Sequence, residues 1–386
     1  MKNSLSCLIA LLLAGCFATT DKKIVDKAKE ESVPAGLIAS SSLPKAEIDK
    51  YFKVTQSFYD LYLKPSGFNG AMLVAKNGQI IFEKYAGFRH LDMNDSIDAN
   101  TPFHLASVSK TFTGMAVLKL WEDGKLDINN EVSVYLPGFN YPGVTVKTLL
   151  NHRSGLPNYV HVMDEKGWDR NVPVSNEDVL SFMIENKEKL MVGKPDRSFN
   201  YCNTNYALLA LIIEKVSGKK YSDFLSDTFF KPLGMDHSFV FQPGMEDSVV
   251  PSYNWRNQRE PFTFLDQVYG DKNVYSTPRD MLKWDIGLTY GKLFKQETLD
   301  AAYTGYSNEK PGVKNYGLGW RLYLYPDQRK IIYHNGWWHG NNTVFTRLIG
   351  DSATVIILGN KYNRRIYDAK KLFTAFGSYE AQAGEE

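Results

Sequence analysis

Between positions 43 and 63 the apolar residues Ile48, Phe52, Phe58, Leu61 and Tyr62 recur at helical spacing, which predicts a first helix. Residues 71–75 and 80–82 are two short apolar runs that flank Asn77-Gly78, and this pattern predicts a tight β-hairpin. A long amphipathic helical run opens at Ser107, carries Phe112, Met115, Ala116, Leu118 and Trp121, and stops near Asp123-Gly124. From Leu126 to about Thr263 the character changes to turns and Pro-Gly pairs, with helical runs at 179–184 and 205–215. A short helix over 279–288 then leads to four strand-like segments at 319–325, 330–334, 343–348 and 354–358. A last helix covers 364–376.

Strands at both ends of the chain with helices between them predict an α+β fold, an antiparallel β-sheet flanked by helices with an inserted mainly helical domain. The expected division is a sheet domain from 45–125 plus 264–386 and a mainly helical domain over 126–263. At 386 residues the chain has room for both cores.

The N-terminus reads as a targeting segment. Lys2 precedes an apolar stretch over 5–14, well short of the ~20 residues that span a bilayer. It ends in Leu13-Ala14-Gly15-Cys16, which resembles a bacterial lipoprotein cleavage box. That resemblance implies a signal peptide over 1–15, lipidation of Cys16, and a membrane held through a lipid anchor. The protein would then sit in the bacterial cell envelope, facing periplasm or exterior. Residues 16–44 are polar and patternless and read as a flexible tether. With Cys7 lost and Cys16 lipidated, Cys202 is left alone, so no intramolecular disulfide is expected.

Charge and motif searches remove several function classes. Lys+Arg 45 against Asp+Glu 43, with no basic block, argues against nucleic acid as a partner. The chain lacks Gly-x-Ser-x-Gly, a P-loop and a dinucleotide glycine fingerprint, and His334 and His339 have neither ligand spacing nor a carboxylate partner. No metal and no cofactor are expected.

What remains is nucleophilic chemistry. Ser107-Val108-Ser109-Lys110 places a hydroxyl and an amine three residues apart, on one face of a helical turn. The Ser107 amide would be one of the orphan donors of that helix end, where an oxyanion is welcome. Ser-x-x-Lys also begins at Ser42, Ser217 and Ser307, but those three lie beside a proline, a helix-ending glycine and a loop. Two further elements follow in order, Tyr201-Cys202-Asn203 before a helical run and His334-Asn335-Gly336-Trp337 at the end of an apolar strand. A glycine in that strand lets substrate backbone lie close.

With these three elements, Leu149-Leu150-Asn151-His152-Arg153-Ser154-Gly155-Leu156, Gly270-Asp271-Lys272-Asn273-Val274-Tyr275-Ser276-Thr277 and Lys283-Trp284-Asp285, the chain resembles the class C β-lactamase and DD-peptidase family of serine hydrolases over nearly all of 45–376. The resemblance implies that Ser107 attacks a carbonyl, that Lys110 deprotonates or electrostatically supports it, and that Tyr201 shuttles the proton and later activates water. It implies substrate contacts from Asn203, His334, Asn335 and Gly336, and an oxyanion hole from the Ser107 and Trp337 amides. Free lysine and tyrosine hold their protons to about pH 10.4 and 10, so this reading requires the two to perturb each other in a desolvated cleft.

The third element departs from the β-lactamase pattern, which has Lys-Thr-Gly there. His334 offers at most a fractional charge at neutral pH, so strong β-lactam turnover is not expected. The expected substrate is a small molecule or a peptidoglycan-derived ester or amide. A non-catalytic penicillin- or muropeptide-binding lipoprotein and a true DD-peptidase or β-lactamase are the alternative readings. His152 is expected to hold a turn and Cys202 to point into packing. Trp337 and Trp338 either line the acyl pocket or divide between pocket and core.

Overall fold

Asn77 and Gly78 adopt φ values of 52° and 72° and join strands β1 (Gly70–Lys76) and β2 (Gln79–Ala86) in the hairpin their sequence predicts. The computed structural model describes residues 43–186, 191–291 and 293–379. The signal peptide over 1–15, the Cys16 lipidation site and all but the last two residues of the 16–44 tether lie outside the described residues.

Three short strands, β3 (Phe103–His104), β4 (Phe239–Val240) and β5 (Val274–Ser276), form a small sheet in the order β3-β5-β4. The large sheet adds β6 (Lys314–Tyr316), β7 (Arg321–Leu324), β8 (Lys330–Trp338), β9 (Asn341–Leu348) and β10 (Ala353–Gly359) to the hairpin. Its order is β2-β1-β10-β9-β8-β7-β6, antiparallel at every pairing. The N-terminal hairpin thus docks on the last strand, through Gly70↔Gly359 to Lys76↔Ala353.

Both faces of this sheet are covered, which explains why β1 and β10 are apolar throughout instead of alternating. Met72, Val74, Val355 and Ile357 pack on one face with Phe58, Leu63, Ile366, Leu372 and Phe376 from the two terminal helical segments. Leu73, Ile356 and Leu358, which point the other way, are fully buried as well.

The helices that matter for the site are α1 (Lys45–Phe58), α2 (Ser109–Glu122), α3 (Val146–Leu150), α4 (Tyr159–Glu165), α5 (Asn176–Glu185), α6 (Asn203–Ser217) and α7 (Pro278–Thr289). The run expected to be an amphipathic helix from Ser107 is buried all round. Every residue of α2 from Ser109 to Leu118 is inaccessible, as a helix clasped between a sheet and other helices must be. Its main helical neighbour is α6, which is buried continuously from Thr204 to Ile213. A buried cluster fixes α7 to the sheet: the Arg347 guanidinium of β9 donates to Asp285 (2.5 Å), Tyr303 (2.6 Å) and Thr289 (2.8 Å).

Three expectations need adjusting. Strand β8 runs to Trp338 and not to 334, because β9 pairs with it as far as Trp338↔Asn341. Composition hid this extension, since the apolar run stops at Tyr333 and the polar His334 and Asn335 read as the strand's end. The polar edge strand β6 was too short to leave a pattern. The final segment is wound as a 3-10 helix over Arg364–Leu372 and turns α-helical only at Phe373–Phe376. Its buried residues Ile366, Ala369 and Leu372 are three apart, the repeat of a 3-10 helix.

Candidate active site

Ser107 sits in a 3-10 turn, Ala106–Val108, just ahead of α2. The preceding Ala106 is held at φ 48°, a left-handed conformation that costs a non-glycine residue roughly 1 kcal/mol. This kink turns the chain from β3 into α2. Lys110, one turn later and fully buried, points back: its Nζ lies 3.1 Å from Ser107 Oγ and donates to the Asp271 carbonyl at 2.7 Å.

The phenol arrives from the other side. Lys110 Nζ lies 5.1 Å from the centroid of the Tyr201 ring and 5.7 Å from that of Tyr206. The Tyr201 hydroxyl and the Asn203 Oδ1, two residues apart in the chain, are buried among the described residues with no hydrogen-bond partner. Such atoms carry a desolvation cost of about 1–3 kcal/mol each, which a bound substrate would relieve. Asn203 is the first residue of α6, so its side chain is set by the helix start.

Gly336 owes its identity to the protein's own chain. A Cβ there would come within 2.4 Å of the Leu105 carbonyl, 2.3 Å of Thr343 Oγ1 and 3.0 Å of Ala106 Cβ. The nucleophile turn therefore rests on β8 and β9, held by Thr343 Oγ1 donating to Leu105 O at 2.7 Å. This packing sets the Ser107 turn one residue from the Trp337 amide. Strand β7 pairs with β8 only as far as Tyr333, so from His334 onward that side of β8 has no strand pairing among the described residues. Asn335, on this stretch of β8, is half-buried.

His334 is fully buried. Its Nδ1 faces the Asn335 carbonyl at 2.8 Å and its Nε2 the Tyr316 hydroxyl at 3.2 Å, so Nδ1 carries the proton and Nε2 accepts. Burial, with Arg321 and Lys110 nearby, holds it well below the usual imidazole range, so it is neutral at pH 7. Its ring centroid is 6.2 Å from that of Tyr201. It braces the phenol from behind, and its two nitrogens are already engaged.

His152 adopts φ 56° at the end of α3. Its Nδ1 accepts from the Cys202 amide at 3.1 Å, and its ring packs tilted against Tyr201 with the centroids 4.4 Å apart. It therefore holds its own turn and the Tyr201 segment together. Burial, then Lys110, His334 and Arg321, keep it neutral. Cys202 is buried, donates to the Pro157 carbonyl at 3.3 Å, and burial pushes its thiol up to about 11, as for a cysteine that packs and does not attack. The two tryptophans divide. Trp337 is 64% exposed, while Trp338 donates to Asp266 and covers Lys272.

Three participants were not assigned a site role from the sequence. The Arg321 guanidinium lies 5.2 Å from the Tyr201 centroid, so the phenol is flanked by two cations. Its only sequence signal is a charge inside an apolar strand. Tyr316 orients His334, and Tyr159 joins Asp271 and Lys272 beneath Lys110. Among the described residues no group of three or more His, Cys, Asp or Glu side chains could hold a metal ion.

Comparison with known proteins fits this geometry. The family model described as "Beta-lactamase" matches residues 64–373. The chain belongs to the β-lactamase family. As a family member it is 31% identical over 332 residues to penicillin-binding protein 4* of Bacillus subtilis, covering 82% of this chain and 73% of the relative. It is 28% identical over 346 residues to the teichoic acid D-alanine hydrolase of Staphylococcus aureus, covering 88% and 80%. A solved penicillin-binding protein from Bacillus halodurans superposes with a TM-score of 0.71 at 22% identity, covering 83% and 98%. The fold is thus that of the β-lactamases and penicillin-binding proteins, and the chain is a serine hydrolase of that family.

Proposed function

We propose that this serine hydrolase cleaves an ester or amide through an acyl-enzyme on Ser107. One observation carries the reading: a hydroxyl, a buried amine 3.1 Å away and a phenol with an unpartnered, buried hydroxyl meet in one crevice. In the first half-reaction Ser107 Oγ bonds to the carbonyl carbon and its proton passes to Lys110 and Tyr201. The tetrahedral oxyanion accepts from the Ser107 and Trp337 amides, and each such donor lowers the barrier by about 3–4 kcal/mol. Tyr201 then protonates the leaving alcohol or amine. In the second half the same phenol takes a proton from water as the water bonds to the acyl carbon, the bond to Ser107 Oγ breaks, and that proton returns to Oγ.

Asn203 and Asn335 bind the substrate's amide or ester backbone, with Arg321 close to the phenol. His334, neutral and with both nitrogens engaged, supplies no charge for a β-lactam carboxylate. The substrates are therefore short acyl esters or amides, small-molecule or peptidoglycan-derived, and the relative that hydrolyses teichoic acid D-alanine makes D-alanyl groups the first to assay. The Leu13-Ala14-Gly15-Cys16 box supports a lipid anchor at Cys16 and a place in the cell envelope.

Intact-mass analysis after incubation with a fluorophosphonate and with a penicillin tests the reading. One adduct mapping to the peptide that carries Ser107 is expected. An adduct elsewhere, or none while ester turnover proceeds, overturns the assignment.

A further inference from the structure

The stretch Gly270–Val274 lies under the nucleophile helix and is bonded to it three times. Gly270 O accepts from Thr113 Oγ1 at 2.6 Å, Asp271 O accepts from Lys110 Nζ at 2.7 Å, and Ser109 Oγ accepts from the Val274 amide at 3.1 Å. Within this stretch Asp271 and Lys272 both bury their charged groups, each with 2% of its side chain exposed. Lys272 Nζ donates to the Tyr159 hydroxyl at 2.5 Å, and that hydroxyl donates on to Asp271 Oδ2 at 3.0 Å. The ammonium also lies 3.5 Å from Asp271 Oδ1, 4.7 Å from the Trp338 ring centroid and 5.2 Å from that of Tyr159. Two aromatic faces thus keep a cation in place where water does not reach.

We infer that Lys272 is a positioning residue for the Ser107 chemistry: it neutralises the buried Asp271 carboxylate, so that Lys110, held by the neighbouring carbonyl, is free to take the serine proton. The inference rests on the acyl-enzyme reading and deepens it. An uncompensated carboxylate on the residue whose carbonyl Lys110 binds would favour the ammonium form of Lys110, because an opposite charge stabilises a cation in a desolvated site. Burial itself presses Lys272 downward, Asp271 and Asp266 oppose that, and Lys110 presses in the same direction as burial.

Other titratable groups face Lys110. Ser107 lies on its own turn, Tyr201 and Cys202 precede α6, and Tyr206 projects from α6. His152 and His334 face it as well, both neutral, and the Arg321 guanidinium lies on the Tyr201 ring. The carboxylate of Asp271, whose backbone carbonyl Lys110 binds, has Lys272 as its close cationic partner, and Asp266 also acts on Lys272.

The test is the pH dependence of kcat/KM for p-nitrophenyl acetate in wild type, Lys272→Met, Lys272→Arg and Asp271→Asn/Lys272→Met. Lys272→Met should move the acid limb up by about one pH unit or more. Lys272→Arg should largely restore it, and so should the double variant, which removes the carboxylate as well. An unmoved acid limb in Lys272→Met, with only the rate lowered, overturns the inference. If Lys272→Met does not fold, Asp271→Asn alone decides: a limb moved downward supports the inference and an unmoved one overturns it. A wild type that turns over no ester and forms no Ser107 adduct would instead sink the acyl-enzyme reading itself.

Discussion

Lys110→Met should lower kcat/KM for an activated ester by roughly a thousandfold, within the range that a positioned proton acceptor contributes, while the protein stays folded. The separation of the two effects is the point. Lys110 is fully buried, and among the described residues its Nζ bonds to the Asp271 carbonyl and Ser107 Oγ, with no carboxylate as a direct partner. Burying a polar amine costs free energy, and replacing it by an apolar side chain of similar shape can be nearly neutral or stabilising. The melting temperature is therefore expected to hold or rise as activity collapses. Steady-state kinetics beside thermal unfolding checks both halves. A variant that is destabilised yet retains near-wild-type kcat/KM would mean that Lys110 serves the fold and not the reaction.

Gly336→Ala should cost about a hundredfold in kcat/KM and about 1–3 kcal/mol in stability, through a single added methyl. The methyl would stand 2.4 Å from the Leu105 carbonyl and 2.3 Å from Thr343 Oγ1. The backbone carbonyl belongs to the turn that carries Ser107, so relief of the clash shifts the nucleophile itself. A misplacement near 1 Å is enough for a loss of that size. The loss should fall mainly on kcat, because the new methyl points at the protein's own turn. A rise confined to KM would place the methyl in the substrate's path instead. Kinetics and thermal melts of the one variant distinguish the two.

The contrast between these residues shows where sequence was informative. Helix periodicity alone puts Ser107 and Lys110 on one face, and the structure sets them 3.1 Å apart. Asn77-Gly78 specifies its own turn, because two left-handed residues in succession suit few other dipeptides. Local rules are legible because they concern neighbours in the chain. Tyr201 could be placed only through its order relative to Ser107 and His334, since Tyr-x-Asn recurs at Tyr306 and Tyr333.

Long-range partnerships left weaker marks. Nothing local says that Arg321 reaches the Tyr201 ring, or that Tyr316 bonds His334 across the sheet. The glycine of the third element looked like an accommodation to substrate, and only the docked nucleophile turn reveals the carbonyl that demands it. Strand β8 was read short for a similar reason. Its polar end is held by pairing with β9, a contact that composition does not record.

The central claim is that Lys110 and Tyr201 pass one proton as a unit, and a double-mutant cycle tests it most directly. Lys110→Met, Tyr201→Phe and the double variant would be compared in kcat/KM for the same activated ester. If the two groups act as a unit, the double variant should be hardly slower than the worse single variant. Losses that simply multiply would show two independent contributions and contradict the shared-proton account.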